Sequence, residues 1–401
     1  MKVLVADKFE ESGLAGLKAL GCEVLYEPKL EGASLGARLA EIGAEVLVVR
    51  STKVGAAEIE GASGLALIVR AGAGVNTIDL QAASARAIAV SNCPGKNSIA
   101  VAELAWGLVL ALDRRLVDQA VDLRDGKWNK AEYGKARGLA GRTLGVIGLG
   151  AIGLEVVTRA KAFGMPVVAW SRSLDDDRAA RLGIARADSI HALAAASDVV
   201  TVHCALTKET RGMLDAKFFG AMKPGAFFVN TSRGEVVDQP SLEAAIAEKG
   251  LRAGLDVFAK EPTSGTGTFE DGIVRRPGVI GTHHVGASTE QAQAAIAEET
   301  VRIVAAYASK GEVPNAVNLA SRTPATHVLS VRHRDRVGVL AHVFGVLRAA
   351  GINVEKTENV VFAGAEAACA HIQVGQAPPV PVLEEIQRGC ADVLSISVRP
   401  L

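Results

Sequence analysis

The most constraining stretch of this chain is a short apolar run that ends in spaced glycines. Thr143-Leu144-Gly145-Val146-Ile147 passes into Gly148-Leu149-Gly150-Ala151-Ile152-Gly153. The run reads as a strand, residues 154–163 as a helix, and Pro166-Val167-Val168-Ala169-Trp170 as the next strand. Gly148 suits the tight turn out of the first strand. Gly150, without a Cβ, lets backbone approach a pyrophosphate, and Gly153 lets the helix pack close to the strand. At Ala151 and Ile152 the helix N-terminus offers free N–H groups and the positive end of its dipole to phosphates. Three spaced glycines alone are weak evidence in a chain with 42 of them. A complete βαβ unit of about 30 residues around them is stronger, and it predicts a dinucleotide site.

At 401 residues the chain calls for two or three domains. Lys plus Arg and Asp plus Glu both number 44, so no global field draws it to nucleic acid or an anionic membrane. Aromatics are 4%, too few for base-stacking platforms. No apolar run reaches the ~18 residues of a membrane span, and the N-terminus lacks a signal-peptide core. The five cysteines, Cys22, Cys93, Cys204, Cys369 and Cys390, are scattered and never in C-x-x-C spacing. They predict a reducing cytoplasm, buried thiols and no metal site.

Residues 1–95 alternate short apolar strands with helices, the rhythm of a parallel sheet covered on both faces. Residues 98–123 read as one long helix, apolar nearly all round and therefore buried between domains or between subunits. A second α/β series follows, with strands expected at 143–147, 166–170, 198–202, 226–230, 252–256 and 279–282. A helix over 289–309 and a linker at 321–324 come next. The remainder has the order βαββαβ, a ferredoxin-like module. The expected architecture is α/β: two doubly wound parallel-sheet, Rossmann-like domains plus that C-terminal module. Residues 1–96 and 287–320 are assigned to substrate binding, 97–286 to the dinucleotide and 321–401 to regulation.

Three segments fall at strand ends of the second series: Asn230-Thr231-Ser232-Arg233-Gly234, Leu255-Asp256-Val257-Phe258-Ala259-Lys260-Glu261-Pro262 and Thr282-His283-His284-Val285-Gly286. The carboxyl ends of such strands face the ligand crevice. Arg233 offers a fork of donors to a carboxylate, and a histidine exchanges protons near neutral pH. Glu261 beside it would favour imidazolium and orient the ring. With a nicotinamide at the glycine loop, this is a set for hydride transfer at a 2-hydroxy acid carbon.

The chain resembles the D-2-hydroxyacid dehydrogenases along essentially its whole length. Val49-Arg50-Ser51-Thr52-Lys53, Arg70-Ala71-Gly72-Ala73-Gly74-Val75-Asn76 and Cys93-Pro94-Gly95-Lys96-Asn97-Ser98 resemble the family's substrate loops, with Glu103 completing the last. The glycine loop, NTSRG, LDVFxxEP and HxGAST segments follow in family order. The resemblance implies that Arg233 holds the substrate carboxylate, that His284 is the general acid/base and that Glu261 is its partner. His284 rather than His283 keeps the spacing to Gly286. Asp256 is expected near the nicotinamide. Arg50, Arg70, Gly72 and Asn97 are expected at the substrate, and so much positive charge hints at a phosphorylated one. His203 reads as structural or lining.

Two departures stand out. The acid that bonds the ribose 2′-OH in NAD sites is replaced by Ser171, followed by Arg172, which leans from NAD toward NADP. The Asp175-Asp176-Asp177 run reads as solvated loop. The tail Val331-Arg332-His333-Arg334-Asp335-Arg336-Val337-Gly338 resembles the start of an ACT domain, with Asn353 in a matching Gly-x-Asn. The resemblance implies L-serine as effector at His333, Asp335 and Asn353, although Asp335 and Val337 depart from the serine-responsive pattern. Dimerisation alone is the other reading of this module. A homodimer or homotetramer is expected. The leading expectation is a dehydrogenase of a phosphorylated 2-hydroxy acid. The others are an NADPH-dependent reductase of glyoxylate or hydroxypyruvate, and an NAD(H)-sensing, corepressor-like binding protein.

Overall fold

The computed structural model describes residues 1–262 and 266–401. They form two compact units, Met1–Asn318 and Leu319–Leu401.

The first unit holds two parallel sheets. One contains β1 (Lys2–Val5), β2 (Glu23–Tyr26), β3 (Val46–Val49), β4 (Leu67–Arg70) and β5 (Ala89–Asn92), in the order β2-β1-β3-β4-β5. The other contains β6 (Leu144–Ile147), β7 (Val167–Trp170), β8 (Ala185–Arg186), β9 (Val199–Val202), β10 (Phe227–Asn230), β11 (Arg252–Leu255) and β12 (Val279–Gly281), in the order β12-β11-β10-β9-β6-β7-β8. All pairings in both are parallel. Strands such as Val46–Val49 and Phe227–Asn230 are buried at every position, because helices cover both faces. The only short strand the sequence reading missed, β8, has two exposed residues and carries no apolar signal.

Each sheet reverses its strand order once, and ligands bind at such switch points. In the first sheet the reversal lies between β1 and β3, whose ends carry Asp7 and Arg50. In the second it lies between β6 and β9, where the glycine loop begins. The helix Ser98–Arg114 packs its apolar side on the second sheet, and Glu290–Lys310 returns to pack on the first.

The single helix expected over 98–123 is two. Arg115 adopts φ 51°, ψ 45° and breaks it into Ser98–Arg114 and Leu116–Arg124. The first part is buried along its length. The second has no buried residue and exposes Leu116, Val117, Val121 and Leu123. A left-handed arginine is uncommon, so no sequence signal marked the break.

The second unit is the expected βαββαβ module. Its antiparallel sheet contains β13 (His327–Arg334), β14 (Val354–Val361), β15 (Ala367–Val374) and β16 (Val393–Pro400), in the order β14-β15-β13-β16. Helices Val339–Ala349 and Val380–Arg388 pack on one face, over Leu329, Val331, Ala370 and Ile372. Among the described residues no helix is long and apolar enough to cross a membrane.

Candidate active site

The glycine loop has the mechanical features a dinucleotide needs. Gly148 sits at φ 94°, and a Cβ there would lie 2.7 Å from the His203 carbonyl oxygen. A Cβ on Gly153 would lie 2.1 Å from the Gly148 carbonyl oxygen, so any side chain at 153 would force the loop open. Gly150 heads the helix Ala151–Ala162, and a Cβ there would meet nothing within 4 Å. The loop is thus closed by two glycines, and the third leaves open space before the free N–H groups of Ala151, Ile152 and Gly153. These residues fit a bound NAD pyrophosphate.

Around the second strand of this sheet the charges are distinctive. Ser171 and Arg172 follow β7, and among the described residues Arg172 has no ion pair. Asp175 caps the helix Asp176–Arg181 through the Arg178 N–H, and Asp176 pairs with Arg186 at 2.6 Å. Two acids of the run are therefore engaged away from the cofactor groove. The sequence reading did not single out Arg178, yet its Nη2 donates to the Leu149 carbonyl inside the glycine loop at 3.2 Å.

His203 is half-buried, with its Nδ1 enclosed. Burial pushes its ring down to about 3, so it is neutral, and its Nε2 is 2.9 Å from Thr201 Oγ1. Its backbone carbonyl lies behind Gly148 of the loop.

The candidate catalytic cluster is assembled from both sheets. His284 Nδ1 lies 2.7 Å from Glu261 Oε2, and among the described residues its Nε2 is free and His283 meets no such partner. Burial pushes the Glu261 carboxyl upward. The hydrogen bond from His284, the Phe258 N–H at 2.8 Å and the charges of His284 and Arg233 overcome this and hold it below the usual carboxylate range. His284 itself sits at φ 53°, which few non-glycine residues adopt.

Asp256 explains how that backbone is held. It is 1% exposed, its carbonyl accepts the His284 N–H, and its carboxylate accepts Thr282 Oγ1 and the N–H groups of Val285 and Gly286. Asp256 is committed to the turn that aims His284.

On the substrate side, Arg233 reaches from the end of β10 to the loop after β4. Its Nη2 donates to Asn76 Oδ1 at 3.2 Å, and a Cβ on Gly74 would lie 2.4 Å from that nitrogen. Arg70 folds back over Gly72, at φ 153°, where a Cβ would lie 1.6 Å from its Nη1. Burial, then the charges of Arg233 and Arg50, push Arg70 down to about 10. Among the described residues its buried Nε has no partner. Three arginines converge with little counter-charge, an arrangement that favours an anion. The nearby carboxylate of Asp7 is occupied otherwise. It accepts the N–H groups of Arg50, Ser51 and Thr52 at 2.6–3.0 Å, fixing the loop that carries Arg50. Asn97 precedes the helix Ser98–Arg114 and makes no side-chain cap.

In the second unit, His333 is 1% exposed, with Nδ1 2.8 Å from the Arg334 carbonyl and Nε2 3.1 Å from Asn359 Oδ1. It is part of the module's interior, with both ring nitrogens engaged there. The inward register of β13, shared with Leu329 and Val331, decides this. Asp335 and Asn353 are exposed, and Asn353 Nδ2 donates to Glu355 at 2.7 Å.

Comparison with known proteins follows the same division. The NAD-binding domain of D-isomer specific 2-hydroxyacid dehydrogenases matches residues 106–286, and the ACT domain matches residues 327–358. The chain is 39% identical over 326 residues to the D-3-phosphoglycerate dehydrogenase of Archaeoglobus fulgidus, which covers 81% of this chain and 60% of that protein. It therefore spans less than two thirds of that relative. It is 35% identical over 327 residues to the glyoxylate reductase of Thermococcus litoralis, covering 79% of this chain and 96% of that protein. The solved structure of NAD+-bound 3-phosphoglycerate dehydrogenase from Entamoeba histolytica superposes with a TM-score of 0.66 at 26% identity, over 80% of this chain and 99% of that one. The chain belongs to the D-isomer specific 2-hydroxyacid dehydrogenases, a family that binds NAD, and carries an ACT domain after the dehydrogenase fold.

Proposed function

We propose that the chain is a D-3-phosphoglycerate dehydrogenase, oxidising 3-phosphoglycerate to 3-phosphohydroxypyruvate at the opening of L-serine synthesis. The observation that carries this reading is the convergence of Arg50, Arg70 and Arg233 beside the His284–Glu261 pair. One guanidinium fork suffices for a carboxylate, and the other two are left for a phosphate.

In this reading the substrate domain is built on the first sheet and the NAD domain on the second. Bound NAD supplies the hydride acceptor. Arg233, braced by Asn76, holds the substrate carboxylate and fixes which face of C2 is presented. His284 Nε2 takes the proton of the C2 hydroxyl, and the charge this leaves on the ring is stabilised by Glu261. Asp256 holds the turn, so proton transfer needs no reorientation of the backbone. In the reverse direction His284 returns the proton to the carbonyl oxygen.

Arg50→Gln tests the phosphate assignment. Loss of one charge-assisted contact, about 1.5–3 kcal/mol, lowers kcat/KM for 3-phosphohydroxypyruvate about 10- to 10²-fold. It leaves unphosphorylated hydroxypyruvate nearly unaffected. An equal loss for both acids would place Arg50 outside phosphate recognition.

The second reading is an NADPH-linked reductase of glyoxylate or hydroxypyruvate. Ser171, Arg172 and Arg178 favour it, since two cations stand by the place of the ribose 2′-position while Asp175 and Asp176 are engaged in a helix cap and an ion pair. The intact acid/base pair supports an enzyme over an NAD(H) sensor. For assembly, the exposed apolar residues of Leu116–Arg124 and Trp128, 81% exposed, support a homodimer through this face. The ACT domain is the proposed effector site. With His333 buried, Asp335 and Asn353 are the residues left to meet L-serine. All five cysteines are unpaired, which suits the cytoplasm.

A further inference from the structure

A cavity of about 210 Å³ lies at the end of the second sheet away from the active site. Arg142 precedes β6, Phe227 begins β10 and Arg252 begins β11, and all three line it. The glycine loop, Arg233 and Asp256 follow the opposite ends of these same strands. At 3.3 Å per residue, four-residue strands separate the two regions by about 13 Å.

The lining is strongly cationic. Arg114, Arg115, Lys135, Arg137, Arg142 and Arg252 line it with two carboxylates, Asp113 and Glu132, while Asp118, 2.8 Å from Arg115, and Asp198 act on the same arginines from outside the lining. Both lining acids are already taken. Asp113 pairs with Arg142 at 3.2 Å, with side chains 2% and 8% exposed. Glu132 is shared between Arg115 at 2.7 Å and Lys135 at 2.6 Å. Among the described residues, Arg114, Arg137 and Arg252 have no ion pair.

The arginines are also held in place. The Arg142 and Arg252 guanidinium carbons lie 4.4 and 5.6 Å from the centre of the Phe227 ring, and Arg115 lies 4.8 Å from that of Tyr133. The Nε of Arg142 is buried without a hydrogen-bond partner among the described residues. A guanidinium this deep normally has its donors satisfied. Burial, then the charge of Arg137, pushes Arg142 downward, and burial with Arg115 does the same to Arg252. An anion in the cavity would relieve both and give the orphan donor an acceptor.

We infer that this cavity is a second anion site, for inorganic phosphate or a phosphate ester of a short carbon chain, separate from the substrate's. The size argues for a small ligand, because pockets for larger organic molecules run to about 300–1,000 Å³. The cation excess argues for more than one negative charge. The inference stands independently of which 2-hydroxy acid the active site takes.

The test uses full-length Arg70→Gln protein, in which the substrate's anion site is weakened. Inorganic phosphate and glycerol 3-phosphate are titrated calorimetrically at constant ionic strength set with chloride. The expected result is saturable binding that Arg137→Gln plus Arg252→Gln weakens at least about tenfold, with oligomeric mass unchanged. Tighter binding of the ester assigns the site to a phosphorylated metabolite, and equal binding assigns it to phosphate itself. Arg137→Gln alone, at an exposed position, serves if the double change perturbs folding. No binding beyond chloride, or an affinity unchanged by the substitutions, would overturn the inference. So would a fall in oligomeric mass without loss of phosphate binding, which would show that the cavity receives a second copy of the chain.

Discussion

His284→Asn lowers kcat by about 10²- to 10⁴-fold while NADH binding, followed by nicotinamide fluorescence, stays near that of the unchanged protein. The asparagine keeps a hydrogen bond toward Glu261 and tolerates the positive φ at this position, so the turn held by Asp256 survives. What disappears is the titratable nitrogen facing the hydroxyl. Glu261→Gln has a smaller effect and a different signature. The Glu261 carboxyl titrates below the usual range in the folded chain, so its ionised form adds stability above the ordinary carboxylate pKa. That stability is lost as pH falls through the folded value. Glu261→Gln therefore lowers the melting temperature at neutral pH and has little effect once pH falls below the folded Glu261 value. A kcat reduced less than tenfold by His284→Asn would remove His284 from the mechanism.

Arg233→Gln lowers kcat/KM roughly 10²- to 10³-fold, or about 3–4 kcal/mol, for every 2-keto acid, phosphorylated or not. Arg233→Lys recovers little of it, because one ammonium cannot bridge a carboxylate while also donating to Asn76 and the Ser232 carbonyl. The uniform loss distinguishes Arg233 from Arg50, whose removal discriminates between substrates. Steady-state rates on the paired acids make the comparison. A loss confined to phosphorylated acids would exchange the two roles.

What was legible in the sequence is what is local. The glycine loop, the strand–helix rhythm and the three segments at strand ends are each written within a few residues, and the structure brings Arg233, Glu261 and His284 together. The missed features depend on distant partners. Asp7 grips the backbone at residues 50–52, more than forty positions away, and Asn76 meets Arg233 across 157. Neither has a local signature. Arg178 became visible only when its helix folded back onto Leu149. Asp256 was assigned by motif to the cofactor, but motif order does not reveal that its oxygens are committed to the next turn. The inward position of His333 was not legible either, because resemblance gives a residue's position in a pattern, whereas strand register decides which face it occupies.

The measurement that tests the account most directly is a two-by-two initial-rate assay at 340 nm, pairing 3-phosphohydroxypyruvate or hydroxypyruvate with NADH or NADPH. The account predicts that kcat/KM for the phosphorylated acid exceeds that for the unphosphorylated one by about tenfold or more with either cofactor, as expected if Arg50 and Arg70 read the phosphate. A preference for unphosphorylated hydroxypyruvate with NADPH would contradict it, and would make the chain a 2-keto acid reductase whose arginine cluster serves the carboxylate alone.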